Sequence, residues 1–531
     1  CPNDLYSALT YSGGKFWRDH LISDLGKNKN VRTLLKSLSD EELADIMTNL
    51  AGNDIESVIE AFEQAGNNDI PTCFIAYTIK GFGLPLAGHK DNHAGLMNQE
   101  QIDKLKNKMN ISDGEEWELY SGLNISKDKL RKFISKVPFN INKNRRFQDR
   151  VIPMSQNIII KYKNLANTQD AFGRFLNDLG KSDSKFADRV ITMSPDVTVS
   201  TNLGGWVNQR RIYNKNPRID IFKDQKVVSA QKWTISPKGQ HFELGIAENN
   251  LFLHLTAAGL SHSIFGTRLI PIGTIYDTFI SRGLDALNYA VYQDARFLLI
   301  ATPSGISLGP EGGAHQSIVT PLIGIGQPNL AMYEPAYVDE LNILLKHSLN
   351  FLQSEQGTSV YIRLSTRNIP QLERKIDENL EKEIISGGYW LKVPTKNSEL
   401  VILFSGQMSP EVYEVISKIE DEIDVGVLNV TSSERLYKDW TTIKSNQYHN
   451  SHSTSRIEKL FSITSDKVAI VTVLDGHSAS LAWIGGAVKR KSISLGVDEF
   501  GQSGNLKDLY RRYKIDSEAI IDACAQIISS K

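Results

Sequence analysis

GQHFELGIAENN, residues 239–250, is the stretch on which the reading of this chain turns. It places one acidic residue, Glu248, at what reads as the start of a helix in an otherwise apolar setting. Downstream, IYDTFISRGLDAL sets Tyr276 and Phe279 three residues apart, a spacing that puts two rings on one helical face. Next comes the Gly/His loop SLGPEGGAHQS, whose glycines let the backbone approach a ligand closely and which carries His315. Taken singly, each feature has an ordinary explanation. A helix-start glutamate interacts with the helix dipole, an aromatic pair packs a core, and a Gly/His loop is polar surface. Together they assemble a carboxyl group, a stacking platform and a proton-handling group.

Composition sets the bounds around this nucleus. At 531 residues the chain is long enough for two to four domains, each with its own core. A formal net charge of −1 argues against nucleic acid or an anionic membrane as the main partner. Cys1, Cys73 and Cys524 are scattered and odd in number, so neither a disulfide framework nor a CxxC metal site is indicated, which fits a reducing cytosol. No apolar run approaches the roughly 20 residues needed to span a bilayer.

The hydrophobic pattern divides the chain into three α/β sections, 1–148, 149–375 and 376–531. In the first, VRTLLKSLSDEELADIMTNL and IESVIEAFEQAG have helical periodicity, and PTCFIAYTIKGFG reads as a buried strand running into a loop. Lysine-rich helices follow to about residue 140, and KNRRFQDRVIPMSQ reads as a linker. The second section alternates strand-like runs (RVITMSP, ARFLLIATP, SVYIRLS) with helical ones, as a parallel sheet flanked by helices would. ELVILFSGQ, SPEVYEVISKI, VGVLNV, VAIVTVLDG and SISLGVD repeat the alternation in the third. His449 and His452, in the polar stretch KSNQYHNSHSTSR, read as solvated rather than as metal ligands.

These residues resemble the pyrimidine-binding half of a thiamine diphosphate enzyme of the transketolase-like superfamily. The resemblance is closest to the homodimeric-type decarboxylating component of pyruvate dehydrogenase, and SISLGVDEFGQSGNLKDLYRRYKIDSEAII is similar to the closing segment of that family. It implies a transketolase-like thiamine diphosphate-binding fold: the tail of a diphosphate-binding domain, a pyrimidine-binding domain and a C-terminal α/β domain. Glu248 would exchange a proton with the pyrimidine ring nitrogen, a task suited to a carboxyl in a water-poor cleft. Tyr276 and Phe279 would supply the ring's aromatic face. In TIKGFGLPLAGHKDNHAGLMN, Lys80 matches a lysine near the substrate carboxylate. His93 matches a histidine shared by both families at the reacting carbon, and His89 one more typical of transketolase. His315 would sit beside the substrate, and Asp196, in TMSPDVTVSTN, at the cofactor-facing subunit contact.

Further implications concern partners and reaction. The family uses magnesium with thiamine diphosphate, works as a homodimer, and passes the acyl group from a short 2-oxo acid such as pyruvate to a lipoyl group on an acyltransferase core. Its metal-binding Gly-Asp-Gly motif does not precede Lys80, and the look-alike SDGEEWE around Asp113 reads as a surface turn. The expectation is therefore a chain whose N-terminal part is absent or supplied separately, and which is inactive until that part is restored. Transketolase reads sugar hydroxyls through a GED-containing loop, whereas this chain has TPSGISLGPEGGAHQS with Pro303 and Ser304 near that position. Losing such a partner costs a polyol about 1–3 kcal/mol per group, which disfavours sugar transfer. Two alternatives stay open: two-carbon ketol transfer between sugar phosphates, and a non-catalytic paralogue that pairs with an active chain.

Overall fold

The computed structural model describes residues 3–141, 146, 147, 149–154, 158–216, 224, 225, 227, 233–447 and 453–529; His449 and His452 lie outside them. The chain forms two compact units, Cys1–Arg145 and Arg146–Lys531.

In the first unit, helices Asn3–Ser12, Gly14–Leu25, Lys29–Ser37 and Asp40–Thr48 close around Leu9, Trp17, Leu35 and Leu43. The last of these helices starts at a capping box, in which Ser39 and Glu42 satisfy each other's backbone amides. Ile55–Gly66 follows, capped by Asp54. The run PTCFIAYTIKGFG is not the buried strand its composition predicts. No strand is present among the described residues of this unit, and Ile75 and Tyr77 are 81% and 73% exposed. Apolar, β-branched sequence becomes a strand only where a neighbouring strand takes its amides and carbonyls. Here Gly52 takes the Tyr77 carbonyl at 3.1 Å and Phe74 stacks on Phe62 instead. Asp113 lies in an exposed turn, paired with Lys106.

Among its described residues the second unit contains two large sheets. A short antiparallel ribbon joins β1 (Leu165–Ala166) to β10 (Ile369–Pro370). The larger sheet comprises β2 (Val190–Ser194), β3 (Ile212–Tyr213), β4 (Ile235–Ser236), β5 (His241–Glu243), β6 (Ile270–Ile275), β7 (Leu298–Ala301), β8 (Leu330–Tyr333) and β9 (Ser359–Arg363). Their order is β4-β3-β5-β2-β6-β7-β9-β8, and every pairing is parallel. Strands β6 to β9 are buried at every residue, as a sheet covered on both faces requires. Alternate side chains serve the two faces. Leu298 and Ile300 pack with helices Thr168–Lys181 and Val338–Phe351, while Leu299 and Ala301 pack with Glu248–Gly259 and Leu284–Tyr292.

The second sheet has β11 (Tyr389–Lys392), β12 (Leu400–Phe404), β13 (Val425–Asn429), β14 (Ala469–Val473) and β15 (Ser492–Leu495), in the order β11-β13-β12-β14-β15. Only β11 runs antiparallel to its neighbour. Leu400, Ile402 and Phe404 face one core, Val401 and Leu403 the other.

A buried polar cluster ties the two sheets together. Arg363, at the end of β9, is fully buried and donates to Asp277 Oδ2 at 3.0 Å and to Glu334 Oε1 at 2.7 Å. Burial alone would lower the guanidinium's pKa, but the Glu334 and Asp277 carboxylates outweigh it and hold it above its ordinary value. Asp475, just past β14, accepts from the Ile306 amide (2.9 Å), Gln407 Nε2 (2.5 Å) and the Tyr510 hydroxyl (2.9 Å). Gly305 comes so close that a Cβ there would lie 2.3 Å from the Asp475 carboxyl, and its φ of +66° favours glycine as well. Ser317, at the far end of the same loop, takes the Gly305 amide at 2.8 Å and donates to Asp277.

Burial pushes the Asp475 carboxyl up to about 6 from an ordinary 3.8. A raised carboxyl binds its proton more tightly folded than unfolded. Its contribution to stability is therefore complete below about pH 4 and lost as pH rises through about 6. Asp475→Asn cannot ionise, so between those limits the stability difference should move in the variant's favour by about 3 kcal/mol, read from urea midpoints across the pH range. An unchanged difference would show that Asp475 does not titrate as its burial demands. Gly305→Ala should cost about 2 kcal/mol or more in the same measurement, from backbone strain and the clash together.

Candidate active site

The side chains singled out in the second unit all follow the carboxyl ends of adjacent parallel strands. Asp196 follows β2, Glu248 follows β5, Tyr276 follows β6 and His315 lies in the loop after β7. In the order β5-β2-β6-β7 these strands are neighbours, and the chain winds outward in opposite directions on either side of β2 and β6. Such a reversal leaves a crevice at the strand ends, where open α/β sheets bind ligands.

Gly245, at φ +66°, turns the chain from β5 toward helix Glu248–Gly259, where Glu248 is the first residue. The helix's positive end and its only 7% exposure place a carboxylate in a site that favours charge yet excludes water. Arg282 Nη1 donates to Glu248 Oε1 at 2.5 Å. Its guanidinium also lies 3.8 Å from the centre of the Phe279 ring.

Tyr276 is the last extended residue before a 3₁₀ helix, Asp277–Gly283, and Phe279 lies within it. The three-residue spacing therefore acts through a tighter helix than the α-helix its sequence suggests, and the rings still stack, 5.8 Å apart and 22° from parallel. His315 meets both edge-on, 6.0 Å from Tyr276 and 5.6 Å from Phe279. Its Nδ1 is buried with no hydrogen-bond partner among the described residues, with Glu311 3.8 Å away. Glu248, Tyr276, Phe279 and His315 thus form one connected group, with Arg282 as the link to the glutamate.

Asp196 falls outside that contact group. It sits at φ +62°, and its amide donates to Glu243 Oε1 at 2.9 Å. Thr198 donates to Glu243 Oε2 at 2.5 Å and also contacts His241 Nε2 at 3.0 Å. Burial alone would raise the Glu243 carboxyl, but hydrogen bonds from His241, Thr198 and the Asp196 amide outweigh it and hold it below the ordinary range. Ser304 is buried, its amide bonded to the Leu364 carbonyl at 2.9 Å.

Three more of the singled-out residues belong to the first unit. Lys80 stands in the irregular segment that replaces the expected strand, and its ammonium is hydrogen-bonded to His93 Nδ1. An ammonium only donates, so Nδ1 accepts and the ring proton is fixed on Nε2. Asn92 steadies the pair by donating to the Lys80 carbonyl at 2.6 Å. His89 points elsewhere: its Nδ1 accepts from the Asp91 amide at 3.1 Å and its ring packs edge-on against Tyr11 at 4.6 Å.

Sequence reasoning missed Arg282 and Asp277, although both stand inside the quoted IYDTFISRGLDAL. Asp277, completely buried between the two aromatics in sequence, accepts from Tyr361, Ser317, Thr320 and Arg363. A charged residue between two platform residues was the available signal. Among the described residues no group of three or more His, Cys, Asp or Glu side chains is placed to hold a metal ion.

Comparison with known proteins is consistent with this geometry. Residues 147–369 match the family model described as the pyruvate dehydrogenase E1 component middle domain. The pyruvate dehydrogenase E1 component of Mycolicibacterium smegmatis is 25% identical over 99% of this chain and 59% of its own length. That of Escherichia coli is 24% identical over 98% and 60%. The chain thus spans about 60% of the length of these curated relatives. Two solved structures share the fold. Transketolase from Campylobacter jejuni has a TM-score of 0.62 at 19% identity, covering 89% of this chain and 66% of that one. A transketolase variant from Pichia stipitis has a TM-score of 0.66 at 17% identity, covering 96% and 70%. The fold is therefore transketolase-like α/β, and the resemblance to pyruvate dehydrogenase E1 components extends over nearly the whole chain.

Proposed function

We propose that this chain carries the pyrimidine-binding half-site of a thiamine diphosphate-dependent enzyme that oxidatively decarboxylates pyruvate or a similar short 2-oxo acid. The carrying observation is the convergence of a buried carboxylate, two stacked rings and a histidine at the ends of adjacent parallel strands. These residues fit the pyrimidine end of the cofactor. Glu248 offers a carboxyl to a ring nitrogen and Tyr276 and Phe279 a face, while His315, whose buried Nδ1 has no hydrogen-bond partner among the described residues, is assigned to the substrate beside them. When bound, that cofactor supplies the nucleophilic carbon that attacks a 2-oxo acid.

The chain's own part is to hold and move protons. Glu248 accepts or returns one at the ring nitrogen it faces. His93, in the first unit, is assigned by the resemblance to proton handling at the reacting carbon, and Lys80, its hydrogen-bond partner, to the substrate carboxylate. His89 and Asp196 complete the proposed set, His89 as a further proton-handling group and Asp196 as a contact to the cofactor. Acyl transfer to a lipoyl group of a partner acyltransferase, magnesium as the diphosphate's counter-ion and a homodimeric assembly belong to the same reading. Exposed apolar residues on and beside helices Glu248–Gly259 and Leu284–Tyr292, namely Ile246, Leu253, Tyr289 and Tyr292, support a covered face of the kind a second subunit would provide.

The test is an assay of the full gene product with magnesium, thiamine diphosphate and an artificial electron acceptor. Acceptor reduction that requires pyruvate is expected; reaction only with a ketose phosphate donor would replace this reading with two-carbon ketol transfer, and no turnover with either would favour the non-catalytic paralogue. Glu248→Gln should lower turnover roughly 100-fold, because the carboxyl's proton exchange is lost while its shape is kept. Phe279→Ala should act instead on affinity, weakening cofactor binding about tenfold as measured by calorimetry. If the first variant changed only affinity, the assigned role of Glu248 would be wrong.

A further inference from the structure

Arg282 occupies a chemically telling position. Its guanidinium is a flat N–C–N group that donates an N–H to Glu248 Oε1 and lies 3.8 Å from the centre of the Phe279 ring. A protonated aminopyrimidine presents the same features: a planar N–C–N edge, an N–H aimed at a carboxylate, and a π-face to lay on an aromatic ring. Arginine suits such mimicry because its guanidinium is planar and weakly hydrated, where an ammonium is neither.

We propose that Arg282 is an internal placeholder that competes with the cofactor's pyrimidine for Glu248 and Phe279. This rests on the thiamine diphosphate reading above. The side chain is well placed to yield, since it springs from the short 3₁₀ helix Asp277–Gly283 and is 52% exposed, so it can swing into water without opening the core. While in place it neutralises a nearly buried carboxylate that would otherwise be costly, and it covers an aromatic face. Entry of the pyrimidine then requires the guanidinium to leave both contacts, so part of the cofactor's binding energy is spent displacing it.

A supporting role and a competing role predict opposite signs. If Arg282 competes, Arg282→Met should bind thiamine diphosphate about tenfold more tightly than the unaltered protein. Arg282→Lys keeps the charge on Glu248 but loses the planar cover, and should fall between the two. The measurement is the dissociation constant for thiamine diphosphate with magnesium, by titration calorimetry on the full gene product. Arg282→Met leaves the Glu248 carboxylate without its partner, so circular dichroism and a melting curve establish that each variant is folded before its binding is compared. Tighter binding by Arg282→Met supports the placeholder. Equal or weaker binding by that variant, alongside ordinary binding by the unaltered protein, overturns the placeholder and leaves the functional reading standing. No binding by any of the three removes the thiamine diphosphate reading and the placeholder with it.

Discussion

A completely buried guanidinium organises the second unit. Arg363 cannot shed its charge, so the interior around it has to supply opposite charge and hydrogen-bond acceptors. Asp277 and Glu334 do so from the ends of β6 and β8, and the Asp475 carbonyl accepts from the same group at 3.4 Å. Removing one of these carboxylates would leave an uncompensated charge, a loss of the order of 3–5 kcal/mol. This cluster thereby ties the two sheets to one another, beside direct bonds such as Glu334 N–H to the Thr431 carbonyl at 2.8 Å.

The aromatic platform inherits that constraint. Asp277 is adjacent to Tyr276 and two residues from Phe279, so anchoring its carboxylate anchors the turn that presents both rings. Ser317 extends the anchor to the His315 loop, and Asp475 grips the other end of that loop through Ile306. The second sheet, which contributes none of the singled-out residues, thus bears on the geometry of the group that does. Preorganisation here comes from charge satisfaction in a dry interior rather than from the loop's own sequence, which is rich in glycine and would otherwise be permissive.

The legible parts of the fold were those whose information is local. Leu400–Phe404, Val425–Asn429 and Ala469–Val473 are continuous apolar runs because both faces of a covered parallel sheet are apolar, and their sequence says so. Tyr276, Phe279, His315 and Glu248 stand out in the sequence because each sits in a short motif with turn signals beside it, and the structure brings them into one contact group. PTCFIAYTI was misread because strand formation depends on a neighbour, which composition does not reveal. Arg363, Glu334 and Asp475 were invisible for the opposite reason. Each is an ordinary charged residue in its local sequence, and its partners are tens to more than a hundred positions away.

That misread run carries a consequence for the behaviour of the polypeptide in solution. Phe74, Ile75 and Tyr77 are exposed within a segment of high β-propensity that contains no charged residue from Pro71 to Ile79. Most of its backbone amides are committed to no sheet, which is the composition from which intermolecular β-pairing grows. These nine residues therefore have the composition of a self-association segment, alongside other exposed apolar side chains such as Trp117 and Phe500. A lysine placed among them would be the natural gatekeeper.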